Sequence, residues 1–187
     1  MIVLALGVGL LAALHLVPAL PQLKAAVMAR ARQRAYGPAF GAVSMVALAL
    51  IVFGWRLSDF VPLYEPPVWG RHANFGLTFL AFLCLGVFLF RGALRQALRF
   101  PMGIAVVLWS SGHLLANGDL RSAVLFGGLL FSAILLIGIG MAQGARPSPE
   151  TRGGHDLLSL VIGAALFGVM TQLHPVLTGV PILTLTR

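Results

Sequence analysis

Residues 122–145 read SAVLFGGLLFSAILLIGIGMAQGA, 24 positions without a formal charge. A helix needs roughly 20 mostly apolar residues to cross a bilayer, so this stretch alone is long enough. Five more stretches of 19 residues or more lack a formal charge: 1–23, 35–55, 72–90, 100–118 and 157–186. Trimmed at proline and glycine, they predict helices near 2–18, 39–56, 73–90, 102–116, 121–142 and 157–174. The expected fold is all-α: one integral membrane six-helix bundle, a single domain over 1–187.

Composition agrees. Of 187 residues 59% are hydrophobic and 10% charged, with a mean hydropathy of +0.95. A soluble domain carries about 25% charged residues, and disorder requires low hydrophobicity; both are excluded. The net charge of +8 does not point to nucleic acid, because surplus Lys and Arg in a membrane protein hold loops at anionic headgroups. The lone cysteine, Cys84, excludes an internal disulfide and any cysteine zinc motif. Cys84 and the six methionines read as core.

The charges also set an orientation. Lys24, Arg30, Arg32 and Arg34 lie between spans 1 and 2, Arg91, Arg95 and Arg99 between 3 and 4, and Arg146 and Arg152 between 5 and 6. Arg56, Arg71, Arg121 and Arg187 lie on the other side, a split of 9 to 4. The positive-inside rule then puts both termini outside the cytoplasm. The first span has no basic residue before Lys24, so it is expected to stay as a mature helix rather than be cleaved.

An ionisable group inside a span is costly and marks a functional position by default. His15 lies in GLLAALHLVPALP and His113 in VVLWSSGHLLANGDL, both within predicted spans. His72 opens span 3, His174 closes span 6, and His155 sits in a polar loop as a solvated residue. All four span histidines also suit plainer roles, as interfacial or helix-packing groups. At a rise of 1.5 Å per residue, His15 lies about 20 Å and His113 about 12 Å below the outer face. Two imidazoles on one haem iron need Cα atoms roughly 12 Å apart, given metal–nitrogen bonds of about 2 Å, and an offset of about 8 Å leaves room for that. Ser110 and Asn117 share the His113 face of span 4, and Ser110 or a nearby backbone carbonyl is the expected acceptor for the second N–H of His113. Asp119, after the Asn-Gly turn, is expected to cap span 5.

LWSSGHLLANGDLRSAVLFGG (108–128) resembles the hallmark segment of the NnrU family of bacterial membrane proteins. The likeness extends to HLVPALPQLK (15–24), RAYGPAFGAVSMVAL (34–48), PLYEPPVWGRHANF (62–75) and LHPVLTGVP (173–181). The resemblance implies an inner-membrane protein associated with denitrification, in support of nitrite and nitric oxide reduction. The family is also similar to plant 15-cis-zeta-carotene isomerase, a haem b enzyme whose histidine ligands match His15 and His113 here. That similarity implies haem b as cofactor, with His72 and His174 as second-tier ligands. It implies a lipid-embedded site that meets a hydrophobic polyene or a small gaseous ligand such as nitric oxide. The alternative expectation is a cofactor-free accessory protein for a nitrite or nitric oxide reductase.

Two departures qualify the likeness. Arg99-Phe100-Pro101 stands where the family commonly has Arg-His-Pro, which also argues against a membrane methyltransferase of the isoprenylcysteine type. Ser110 stands where the isomerase has cysteine, so a redox-switched thiol ligand is excluded there.

Overall fold

A computed structural model of the chain describes residues 1–30 and 33–180. Arg32 and Arg187, counted above for orientation, lie outside the described residues. The described chain is all-helical: α1 (Ile2–Ala19), α2 (Pro21–Arg30), α3 (Gln33–Arg56), α4 (Gly70–Leu89), α5 (Ala93–Leu98), α6 (Pro101–Ala116), α7 (Leu120–Ala142) and α8 (His155–Thr178). Five of these (α1, α3, α4, α7 and α8) are long and apolar enough to cross a membrane. The remaining long element, α6, has 16 residues and is apolar.

The predicted helices therefore exist, with longer ends. The helix expected from 39 begins at Gln33 and runs through Pro38. The helix expected to end at 174 runs through Pro175 to Thr178 and closes on Gly179 at φ 77°. A proline removes one backbone bond, and near a helix end that loss did not stop the helix. Inside α7, residues Ala123–Gly127 form a π turn.

The helices form an arc in the order α3, α1, α7, α6, α4, α8. Arg56, at the end of α3, donates to the carbonyls of Val176 and Leu177 on α8 and draws the arc's two ends together. The crossing of α1 and α3 is close because it is built on glycine. A Cβ on Gly54 would fall on the backbone of Leu4, and one on Gly7 would come within 2.8 Å of the Ile51 amide. Small residues allow this approach, the usual basis of helix association in lipid.

The buried cluster joins Leu4 and Val8 of α1, Ile51 and Trp55 of α3, and Leu125 and Phe126 of α7. Much of the remaining apolar surface is exposed, including Ile2, Phe53, Phe131, Leu157 and Val176, as lipid-facing residues should be. Met45, Met102 and Met141 are exposed too. They correct the reading of all methionines as core: flexible thioethers suit a lipid boundary as well as an interior.

One end of the bundle collects the end of α3, the starts of α4 and α7, and the ends of α6 and α8. His72, the Asn117–Asp119 turn and His174 lie at that end. At the opposite end the loops holding Arg91–Arg99 and Arg146–Arg152 are tied to each other. Asp156 accepts from the amides of Ala93 (3.0 Å) and Leu94 (2.9 Å) and caps α5. His155 is not simply solvated: its Nδ1 accepts from the Arg91 amide at 3.2 Å.

Candidate functional site

A cavity of about 400 Å³ opens at the arginine-rich end between α1, α6 and α7. Its walls include Leu11, Val106, Leu129 and Leu136, and its polar lining includes His15, Arg95, Arg99 and Arg146. The sequence placed arginines at this end in general; the fold selects these three. Arg99 adopts φ 58° and donates through Nε to the Ala145 carbonyl at 2.8 Å. Its guanidinium stacks over Phe100 at 5.0 Å. Phe100, in the place of the family's histidine, is itself a wall of the cavity.

His15 lies on the stripe Leu4–Val8–Leu11–His15 of α1, one face of the helix. Its Nδ1 donates to the Leu11 carbonyl at 2.8 Å, and its ring meets Phe40 edge-on at 5.3 Å. With Nδ1 carrying the proton, Nε2 holds the lone pair that a metal would take.

His113 is buried and held in the same way, with Nδ1 donating to the Trp109 carbonyl at 2.8 Å. The backbone carbonyl, not Ser110, takes the N–H. The Ser110 hydroxyl is fully buried and has no hydrogen-bond partner among the described residues. The His113 ring stacks on Phe126 with centroids 4.3 Å apart and 22° between planes. Phe126 also meets Trp55 and Trp109 edge-on. Trp109 and Phe126 were not singled out from sequence, although both sit in the LW and LFG parts of the hallmark segment.

His15 lines this cavity and His113 does not. Val8 packs against Gly128, which fixes the register of α1 on α7. His15 lies seven residues further along α1, and Phe126 two residues the other way along α7. The axial offset between His15 and the His113–Phe126 stack is then about 13 Å, larger than the depth count gave.

The remaining candidates sit at the far end. Asn117 donates through Nδ2 to the His113 carbonyl at 2.9 Å, closing α6. His174 is half-buried, with Nδ1 donating to the Val180 carbonyl at 2.9 Å. His72 is exposed in the first turn of α4. Asp119 caps α7 as expected, accepting from the Ser122 amide at 3.1 Å and its hydroxyl at 2.6 Å. It also pairs with Arg121 at 3.3 Å, whose guanidinium lies 4.6 Å over Trp55. The 57–69 loop is stitched to this turn. Leu63 donates to the Gly118 carbonyl at 2.7 Å, and Leu120 to the Val61 carbonyl at 2.8 Å. Gly118 is required because a Cβ there would strike the Tyr64 carbonyl. Much of the LANGDL motif is thus a structural clasp.

Among the described residues, no group of three or more His, Cys, Asp or Glu could hold a metal ion. No curated protein and no solved structure matches the chain. A family model described as NnrU protein matches residues 3–182. With nearly its whole length covered, the chain belongs to the NnrU family.

Proposed function

We propose that the protein is a haem b-binding, six-span protein of the bacterial inner membrane that supports nitrite or nitric oxide reduction. One observation carries the haem reading. An apolar cavity brings together His15, whose Nε2 makes no hydrogen bond among the described residues, and three arginines. Imidazole is a standard haem ligand, and arginine forks match carboxylates such as the propionates. The volume falls in the range of about 300–1,000 Å³ for small-molecule and cofactor sites. His15 would hold the iron and Arg95, Arg99 and Arg146 the acid groups; His113 matches the isomerase's second ligand but lies about 13 Å from His15 along the bundle axis, so in this arrangement His15 is the ligand the cavity offers. Bound haem would supply a redox-active iron for electron transfer, for a gaseous ligand, or for isomerising a polyene from the surrounding lipid. The residues present would orient the group and exclude water from it.

We read the chain as six crossings with both termini outside the cytoplasm, on the 9-to-4 split of its basic residues. His15 and the arginine-bearing loops then face the cytoplasm, where anionic groups are held by the basic side. The test is the absorption spectrum of protein purified in mild detergent after expression with ample haem. A Soret band is expected, lost or strongly shifted in His15→Ala and unchanged in His155→Ala. A colourless, folded protein would instead favour the cofactor-free accessory role.

A further inference from the structure

The His113 ring is covered by two aromatic side chains, Phe126 stacked on it and Trp109 edge-on to it. On α6, Val106 lines the cavity, and Ser110 and His113 follow it at spacings of four and seven, on the same face. On α7, Leu129 lines the cavity, and Phe126 follows three residues away on the same face. Both faces therefore continue from the cavity to the point where Phe126 covers the His113 ring. Leu11 and Leu129, both cavity walls, pack against the cluster that contains Phe126. Ser110 lies in the middle of this seam, fully buried with its hydroxyl unpartnered among the described residues. A buried hydroxyl left without a bond costs free energy, and its position marks where a polar atom or water would be welcome if the seam opened.

Phe126 is carried on a local irregularity of α7. It sits in the π turn Ala123–Gly127, and such turns recur at functional sites. Closing the turn to α-helical register would rotate its residues by about 100° relative to the rest of α7. Gly127 has open space around its Cβ position.

We propose that Phe126, carried on this π turn, is the gate between the inner cavity and His113. With the ring in place a group in the cavity has no path to His113; with the ring displaced the cavity extends toward the His113 imidazole. The proposal rests on the haem reading for the identity of that group, but not for the gate itself.

The test separates the two. Purified full-length protein is treated with diethyl pyrocarbonate, which modifies free imidazole nitrogen, and each histidine is read by peptide mass spectrometry. In the wild type, exposed His72 should label and His113 should be protected. In Phe126→Ala the labelling of His113 should rise several-fold, with Phe131→Ala on the same helix as a control that leaves it protected. Phe126→Leu keeps apolar bulk in the core but removes the flat ring, and should give an intermediate rise if the alanine variant does not fold. Protection of His113 in folded Phe126→Ala and Phe126→Leu overturns the gate, as does wild-type labelling of His113 equal to that of His72. Absence of any haem band with a rise in His113 labelling overturns the haem reading and leaves the gate standing.

Discussion

The hydroxyl of Tyr64 donates to the carbonyl of Asn117 at 2.8 Å and also engages that of Leu114. A loop residue thereby closes the end of α6, where backbone carbonyls have no partner in their own helix. Burial, and then the negative charge of Asp119, raise the Tyr64 phenol above its usual value.

Tyr64→Phe should therefore lower the melting temperature in detergent modestly, by the equivalent of about 1 kcal/mol, with the fold intact. The phenol's stabilisation is fully present below pH 10 and is lost as pH rises through its raised value. Wild type should lose stability more steeply than Tyr64→Phe in alkaline melts; parallel curves would show that the bond contributes nothing.

Asp119→Ala removes a helix cap and leaves the Arg121 guanidinium without its carboxylate. A cap is worth about 0.5–2 kcal/mol, and the uncompensated charge adds to that loss, so about 2–3 kcal/mol is expected. Asp119→Asn keeps the cap geometry and should recover part of it. Thermal melts of both variants check this, and equal losses would assign the whole effect to charge.

Gly54→Leu should break the α1–α3 crossing, because a Cβ already falls on the Leu4 backbone. The loss should exceed that of Gly41→Leu on the same helix, where a Cβ meets open space. Protease sensitivity of the two variants in membranes measures the difference, and similar resistance would count against the crossing.

A periplasm-dependent reporter fused after Arg187 should be active, and one fused in the 146–152 loop inactive. Reversal of both would overturn the orientation drawn from the basic residues.

The helices and their order along the chain were legible because charge-free stretches of this length leave little else for a chain to do in lipid. The ends were less so, since Pro38 and Pro175 fall inside helices rather than at their limits. Asp119 was readable as a cap because Asn-Gly-Asp carries that chemistry locally. The separation of His15 from His113 was not, because it depends on the register of α1 on α7, which Val8 and Gly128 set by contact. The stacking of Phe126 on His113 was hidden for the same reason, and the π turn that carries it leaves no pattern in an apolar run. Arg95, Arg99 and Arg146 were visible as charges but not as a group, since they converge only when the two loops meet.

At 16 residues, α6 spans about 24 Å, short of the roughly 30 Å hydrocarbon layer. It is also the best covered of the long helices, with Met102 its one exposed side chain. The two facts belong together. A helix enclosed by its neighbours need not match the thickness of the bilayer, and loops at both of its ends can dip below the membrane surface where protein rather than lipid surrounds them. The outer helices take up any mismatch by tilting. A thicker or thinner membrane should then change the slant of α3 and α8 while leaving His113 and its stacking partner at a constant depth within the protein.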